Sequence, residues 1–261
     1  MKYKIMLVII LVAVAWAVGQ HRSETPGEER GGQVQGGTSH SYQLLPGASV
    51  EVKGINGSVD VETSDSDKAE VQIVSSSDSQ QIIVEQTPTS LLVQGRQSGR
   101  HWWRFWGDDV RQQVLLKIPR QAELTTRGVN GPVRIGELDG TVTVSGINGR
   151  VEMRQAARLS EVSGVNGGVS IEISGPLGEQ GIRVRGINGR VEMRAGVDLN
   201  ADLDVKGLNG QLSLEVPNVT MQEKLSRSNM RARIGAGGAP ISVIGVNGSL
   251  SLERSAPVGS R

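Results

Sequence analysis

The sequence predicts an all-β protein, a repeat-built β-solenoid resembling a single-stranded β-helix, and three observations carry that reading. Residues 146 to 154 read GINGRVEMR and residues 186 to 194 repeat the same nine letters. Looser copies begin at Gly54, Gly128, Gly164, Gly207 and Gly245, and the six starts from Gly128 onward are separated by 18, 18, 22, 21 and 38 residues. The composition is also unusual, with 35 Gly and 3% aromatic residues. Stacked aliphatic rungs need little aromatic mass, and they use glycine in their turns.

Each copy has two parts. The Asn-Gly pairs are Asn56-Gly57, Asn130-Gly131, Asn148-Gly149, Asn166-Gly167, Asn188-Gly189, Asn209-Gly210 and Asn247-Gly248. They are expected to turn the chain by accepting positive φ. A short alternation of Val, Ile, Leu or Met with polar residues follows, the period of a strand with one buried face. Hydrophobic parity fits either a hairpin meander or a solenoid corner, so an antiparallel β-meander is the alternative. The repeat length favours the solenoid, since 18 to 22 residues suit a rung of two or three short strands. Equivalent asparagines one strand spacing apart, about 4.8 Å, could then hydrogen-bond in a ladder.

Taken in order, residues 1–19 read as a signal peptide: Lys2 and Lys4 precede an apolar run that ends near Ala15-Trp16-Ala17. Residues 20–40 are polar and glycine-rich and read as a flexible linker. Residues 41–127 read as a less regular N-terminal β-region of the solenoid, 128–254 as the regular array and 255–261 as a tail. The long interval between Gly207 and Gly245 is expected to hold one further, degenerate unit.

Lys and Arg total 28 against 27 acidic residues, so no basic footprint for nucleic acid is present. Cysteine is absent, which removes disulfides, thiolate metal sites and Cys nucleophiles. Asp198, Asn200, Asp202 and Asp204 alternate like a calcium loop, but Leu203 and Asn209 occupy the places where an EF-hand needs Gly and a carboxylate. A strand with an acidic outer face explains them better. GAGGAP at 235–240 is followed by a strand pattern and not by the helix a phosphate loop requires. His21, His40 and His101 offer no base beside a nucleophile. Glu152 and Glu192 hold equivalent places in the two identical phrases and raise a polysaccharide-acting enzyme as an alternative. Exposed pairing with neighbouring arginines is the simpler account. No catalytic, cofactor-binding or metal-ligating residue is assigned, and no enzyme activity is expected.

The segment His101, Trp102, Trp103, Arg104, Phe105, Trp106 stands apart, holding three of the four Trp and the only Phe. Adjacent Trp102 and Trp103 would point to opposite faces of a strand, so alternation does not explain them. They form either a cap over an open end or sheet edge, or an exposed interaction loop that stacks on a glycan, a membrane surface or an envelope protein.

The phrase G-[IV]-N-G-x-[VL]-x-[VIML], the passage VLLKIPRQAELTTRGVNGPVRI and the closing GGAPISVIGVNGSLSL resemble the bacterial putative-adhesin β-repeat families, also called toastrack or head GIN domains. The resemblance covers about residues 45 to 253. It implies a β-solenoid exported to the periplasm or cell surface, with an adhesive role or, as the alternative, a role as sensor or partner domain in a membrane-stress system. The family supplies no binding residues to carry over, and the chain departs from its pattern at residues 101 to 109.

Overall fold

The computed structural model describes residues 38–75, 80–97, 112–154, 160–173, 175–224, 226 and 228–255. The expected signal peptide, almost all of the linker, the tail beyond Ser255 and the aromatic segment 101–106 lie outside the described residues. Every described element is a strand. Strand β1 (Thr38–Gln43) begins inside the stretch read as linker, and β2 (Ser49–Lys53) and β3 (Gly57–Ser64) follow it. Then come β4 (Lys68–Ser75), β5 (Gln80–Thr87), β6 (Ser90–Gln97), β7 (Gln112–Pro119), β8 (Glu123–Val129) and β9 (Val133–Ile135). The middle of the chain supplies β10 (Val142–Asn148), β11 (Val151–Arg154), β12 (Ser160–Asn166) and β13 (Val169–Ile173). The remainder is β14 (Ile182–Ala195), β15 (Ala201–Glu215), β16 (Val219–Lys224), β17 (Met230–Ile234) and β18 (Ala239–Arg254).

The chain winds as a solenoid. Each coil has a first arm, a Gly-X-Asn-Gly corner and a second arm, and equivalent arms pair in parallel and in register. The antiparallel meander is therefore excluded for the array. One aliphatic row shows the stacking: Val52, Thr126, Val144, Val162, Val184, Val243 and Val205 are successive register partners, all buried. Burying each such side chain contributes roughly 1.5 to 3 kcal/mol, so a core without aromatics suffices when the row is long.

Two features of the corner explain the phrase. Gly146 has φ 64° and drops out of the ladder between the Ser145–Ser163 and Ile147–Val165 pairs. The side-chain parity therefore shifts there, so that Val144 and Ile147 both enter the core. Gly149 has φ 159°, near extended, yet a Cβ on it would lie 2.3 Å from the Gly131 carbonyl oxygen of the neighbouring coil. Both glycines of the phrase therefore have positive φ, as expected for the Asn-Gly pair; the first sits in the left-handed region, and the second is also needed for close stacking. Among the described non-glycine residues only Asn218 has positive φ.

The coils do not stack in sequence order. Along the first arm the order is β6, β2, β8, β10, β12, β14, β18, β15. The second arm follows with β7, β3, β9, β11, β13 and the distal halves of β14, β18 and β15. The first and last phrases, on β2–β3 and β18, therefore lie inside the stack. Antiparallel strands cover one end, with β5 on β6, β4 on β7 and β1 on β4. At the other end β17 pairs with the first arm of β15, and β16 pairs with β17. The interval between Gly207 and Gly245 therefore holds this antiparallel hairpin and no degenerate coil. It lacks the glycine pair that lets two corners approach.

Candidate functional site

The corners form one continuous edge of the molecule. Asn130 donates its side-chain amide to the Asn56 oxygen at 2.9 Å, Asn148 to Asn130 at 2.9 Å, Asn166 to Asn148 at 3.3 Å and Asn188 to Asn166 at 3.1 Å. Asn247 donates to Asn188 at 3.3 Å and Asn209 to Asn247 at 3.1 Å. All seven asparagines of the phrase thus join one exposed amide ladder, each rung contributing about 0.5 to 1.5 kcal/mol net.

The ladder stops at the outermost coil. Where β2 passes to β3 between Lys53 and Gly57, the stacked strands β6 and β7 pass from Gln94 to Gln112. Gln112 takes the place of a further corner residue: it is buried, and its Oε1 accepts the backbone N–H of Asn56 at 3.3 Å. The sequence carries no signal for this role, because Gln112 begins a strand and belongs to no copy of the phrase. In the chain, the segment with Trp102, Trp103, Phe105 and Trp106 falls between β6 and β7, outside the described residues.

The outward face of the second arm is a grid of charge. Asp60, Arg134 and Glu152 are successive register partners on β3, β9 and β11. Arg134 reaches Asp60 at 3.0 Å and Glu152 at 3.4 Å, tying three coils. The Asp60 hydrogen bond, followed by the charges of Asp60 and Glu152, holds the Arg134 guanidinium above its ordinary value. Arg150 also meets Glu152 at 3.6 Å, Arg154 meets Glu172 at 3.7 Å, and Arg194 bonds Glu192. Gly168 and Ser170 leave a shallow hollow between the arginine-bearing coils. Glu152 and Glu192 are separated by Ser170, two strand spacings or about 9.6 Å. Glu152 is engaged by Arg134 and Arg150, and Glu192 by Arg194.

The two glycine- and acid-rich stretches near the far end satisfy each other. Asp202 and Asp204 face Arg233 at 3.4 Å and Arg231 at 3.7 Å, while Lys206 bonds Asp204 at 2.6 Å. The GAGGAP turn donates the N–H of Ala236 to Asn200 Oδ1 at 2.7 Å and that of Gly238 to Asp202 Oδ2 at 3.2 Å. The amides that could cradle a phosphate are aimed at side chains of this chain. His40 lies in β1 beside Tyr42, and His21 and His101 lie outside the described residues.

No family model matches the chain, and no curated protein matches it. Solved structures do. A protein described as a "putative cell adhesion protein" from Clostridium sporogenes is 9% identical over 84% of this chain and 100% of that one, with a TM-score of 0.45. A "putative adhesin" from Bacteroides fragilis is 11% identical over 84% of this chain and 97% of its own, with a TM-score of 0.38. Another from Parabacteroides merdae is 11% identical over 83% and 95%, with a TM-score of 0.27.

Proposed function

We propose that the chain is an exported, envelope-associated and non-enzymatic protein that works as an adhesin-like binder or scaffold. One observation supports this most: the corner edge runs through seven coils on asparagine turns, and the aromatic segment falls in the chain between β6 and β7, the strands stacked beyond its last corner. A core filled by stacked aliphatic side chains needs no such segment for packing. Aromatic rings are suited to stacking on a glycan, entering a membrane surface or anchoring an envelope protein. The paired charges on the second arm suit a rigid support for that contact.

The test replaces Trp102, Trp103 and Trp106 together by Ser in the full chain. Binding to envelope extract, glycan arrays or lipid vesicles should fall at least tenfold while the unfolding midpoint stays within about 2 °C. A cap would behave differently, since truncating each buried ring costs about 3 to 5 kcal/mol. Strong destabilisation, or unchanged binding by a stable variant, overturns the reading.

A further inference from the structure

The far end of the solenoid is built unevenly. Beyond the first arm of β15 the sheet continues through β17 and β16. Beyond its second arm, among the described residues, no strand pairs with Gln211–Glu215 on the side away from β18. One side of the core therefore extends two strands past the other. The exposed inner surfaces record this. Met221 is the partner of buried Ala232 across an antiparallel pair, which puts both on the core face. Met221 is nevertheless 49% exposed. Opposite it, Leu212, Leu214 and Val216 are only half-buried, although their row-mates Leu250 and Leu252 on β18 are buried.

Edge strands that stay unpaired are usually protected by lysine, proline or a bulge. The sequence Gln211-Leu212-Ser213-Leu214-Glu215 has none of these, and on β16 the bulge between Met221 and Glu223 and Lys224 leave Val219–Met221 as the unprotected stretch. At the opposite end of the stack both arms are covered by antiparallel strands.

We infer that this end is a docking surface for a second copy of the same chain, related by a two-fold axis parallel to the strands. Such an axis exchanges the two arms. The two-strand overhang of each copy then fills the two-strand gap of the other, and β16 meets the partner's β15. The strand directions also agree: β16 runs parallel to the first arm of β15 through two antiparallel steps, toward the corner, whereas the second arm runs away from it. The new pair is therefore antiparallel. Met221 and Val219 complete the row of Leu212 and Leu214 of the partner, and both open edges close at once. One isologous contact satisfies all four edges, which is how closed dimers avoid fibres. This inference does not depend on the adhesive reading.

The experiment needs no ligand: the mass of the full chain is measured by light scattering across a concentration series, with Met221→Lys as the variant. Met221 is exposed in the single chain, so the substitution leaves the fold intact, which near-unchanged thermal unfolding at monomeric dilution verifies. The expected result is twice the chain mass at high concentration, with at least a tenfold rise in the dissociation constant for the variant. The chain has no cysteine, so Ser213→Cys combined with Thr220→Cys supplies an independent readout. Oxidation should give an inter-chain disulfide, and neither single variant should match its yield. A monomer at all concentrations, a dimer indifferent to Met221→Lys, or open-ended oligomers would each overturn the proposal.

Discussion

Asn247 donates its side-chain amide to Asn188 at 3.3 Å across a separation of 59 residues, and it accepts that of Asn209, 38 residues away, at 3.1 Å. The last phrase of the chain is thereby seated between two coils made earlier. The slot it fills must stay open until β18 arrives. A chain ending at residue 238 is expected to leave β15 without its parallel partner, so hydrogen exchange should show β15 amides unprotected while β10 and β12 remain protected. Equal protection of both regions would show that β15 docks without β18.

The amide ladder makes a graded prediction. Asn148→Ala removes two side-chain bonds, and Asn209→Ala at the end of the row removes one. At about 0.5 to 1.5 kcal/mol per bond, the first should cost roughly 1 to 3 kcal/mol and the second about half as much. Denaturant midpoints at constant slope measure both. Equal costs would mean that the rungs act through the local turn and not through stacking.

The two glycines of one corner should tolerate small side chains to different degrees. At Gly146 a Cβ meets nothing closer than 3.6 Å, so only its φ of 64° resists substitution. Asparagine tolerates that region, and Gly146→Asn should cost about 1 kcal/mol. Gly149→Ala drives a methyl group against the Gly131 carbonyl and should cost about 3 kcal/mol or more. Thermal unfolding of the pair measures both, and equal costs would show that the contact at Gly149 adds nothing to the conformational cost.

Thr126 interrupts the buried valine row, and its hydroxyl has no hydrogen-bond partner among the described residues. Thr126→Val keeps the shape and removes the stranded hydroxyl. Stability should rise by about 1 kcal/mol, or roughly 2 to 4 °C in Tm for a domain of this size. A drop would overturn the reading of Thr126 as a stranded hydroxyl.

These sites show which parts of the fold left a trace in the sequence. Stacking makes equivalent residues face the same neighbours, so selection for a fit at Asn148 repeats at Asn166 and Asn188, and the period becomes readable. Coil order leaves no such trace. Any phrase can stack on any other, and nothing local distinguishes the corner at Gly245 as belonging between Gly186 and Gly207. The hairpin of β16 and β17 was misread as a coil because its length alone matched one. The positive φ of the Asn-Gly glycines was legible, but the close contact at Gly149 comes from the coil beside it, which a single strand cannot reveal. Gln112 was missed for a related reason: its side chain serves a backbone N–H 56 residues earlier.

The seat of β18 has a mechanical consequence. Its pairing with β14 spans Ile241–Arg254 and that with β15 spans Ala239–Glu253, both parallel and in register. A pull applied beyond Ser255 acts along these two seams together, so the strand cannot unzip bond by bond and must shear out of its groove. Forced unfolding is governed by the unfolding rate and not by the equilibrium. Burying the final strand between two others therefore gives the molecule a grip under load that a strand laid last on the outside of the stack would lack.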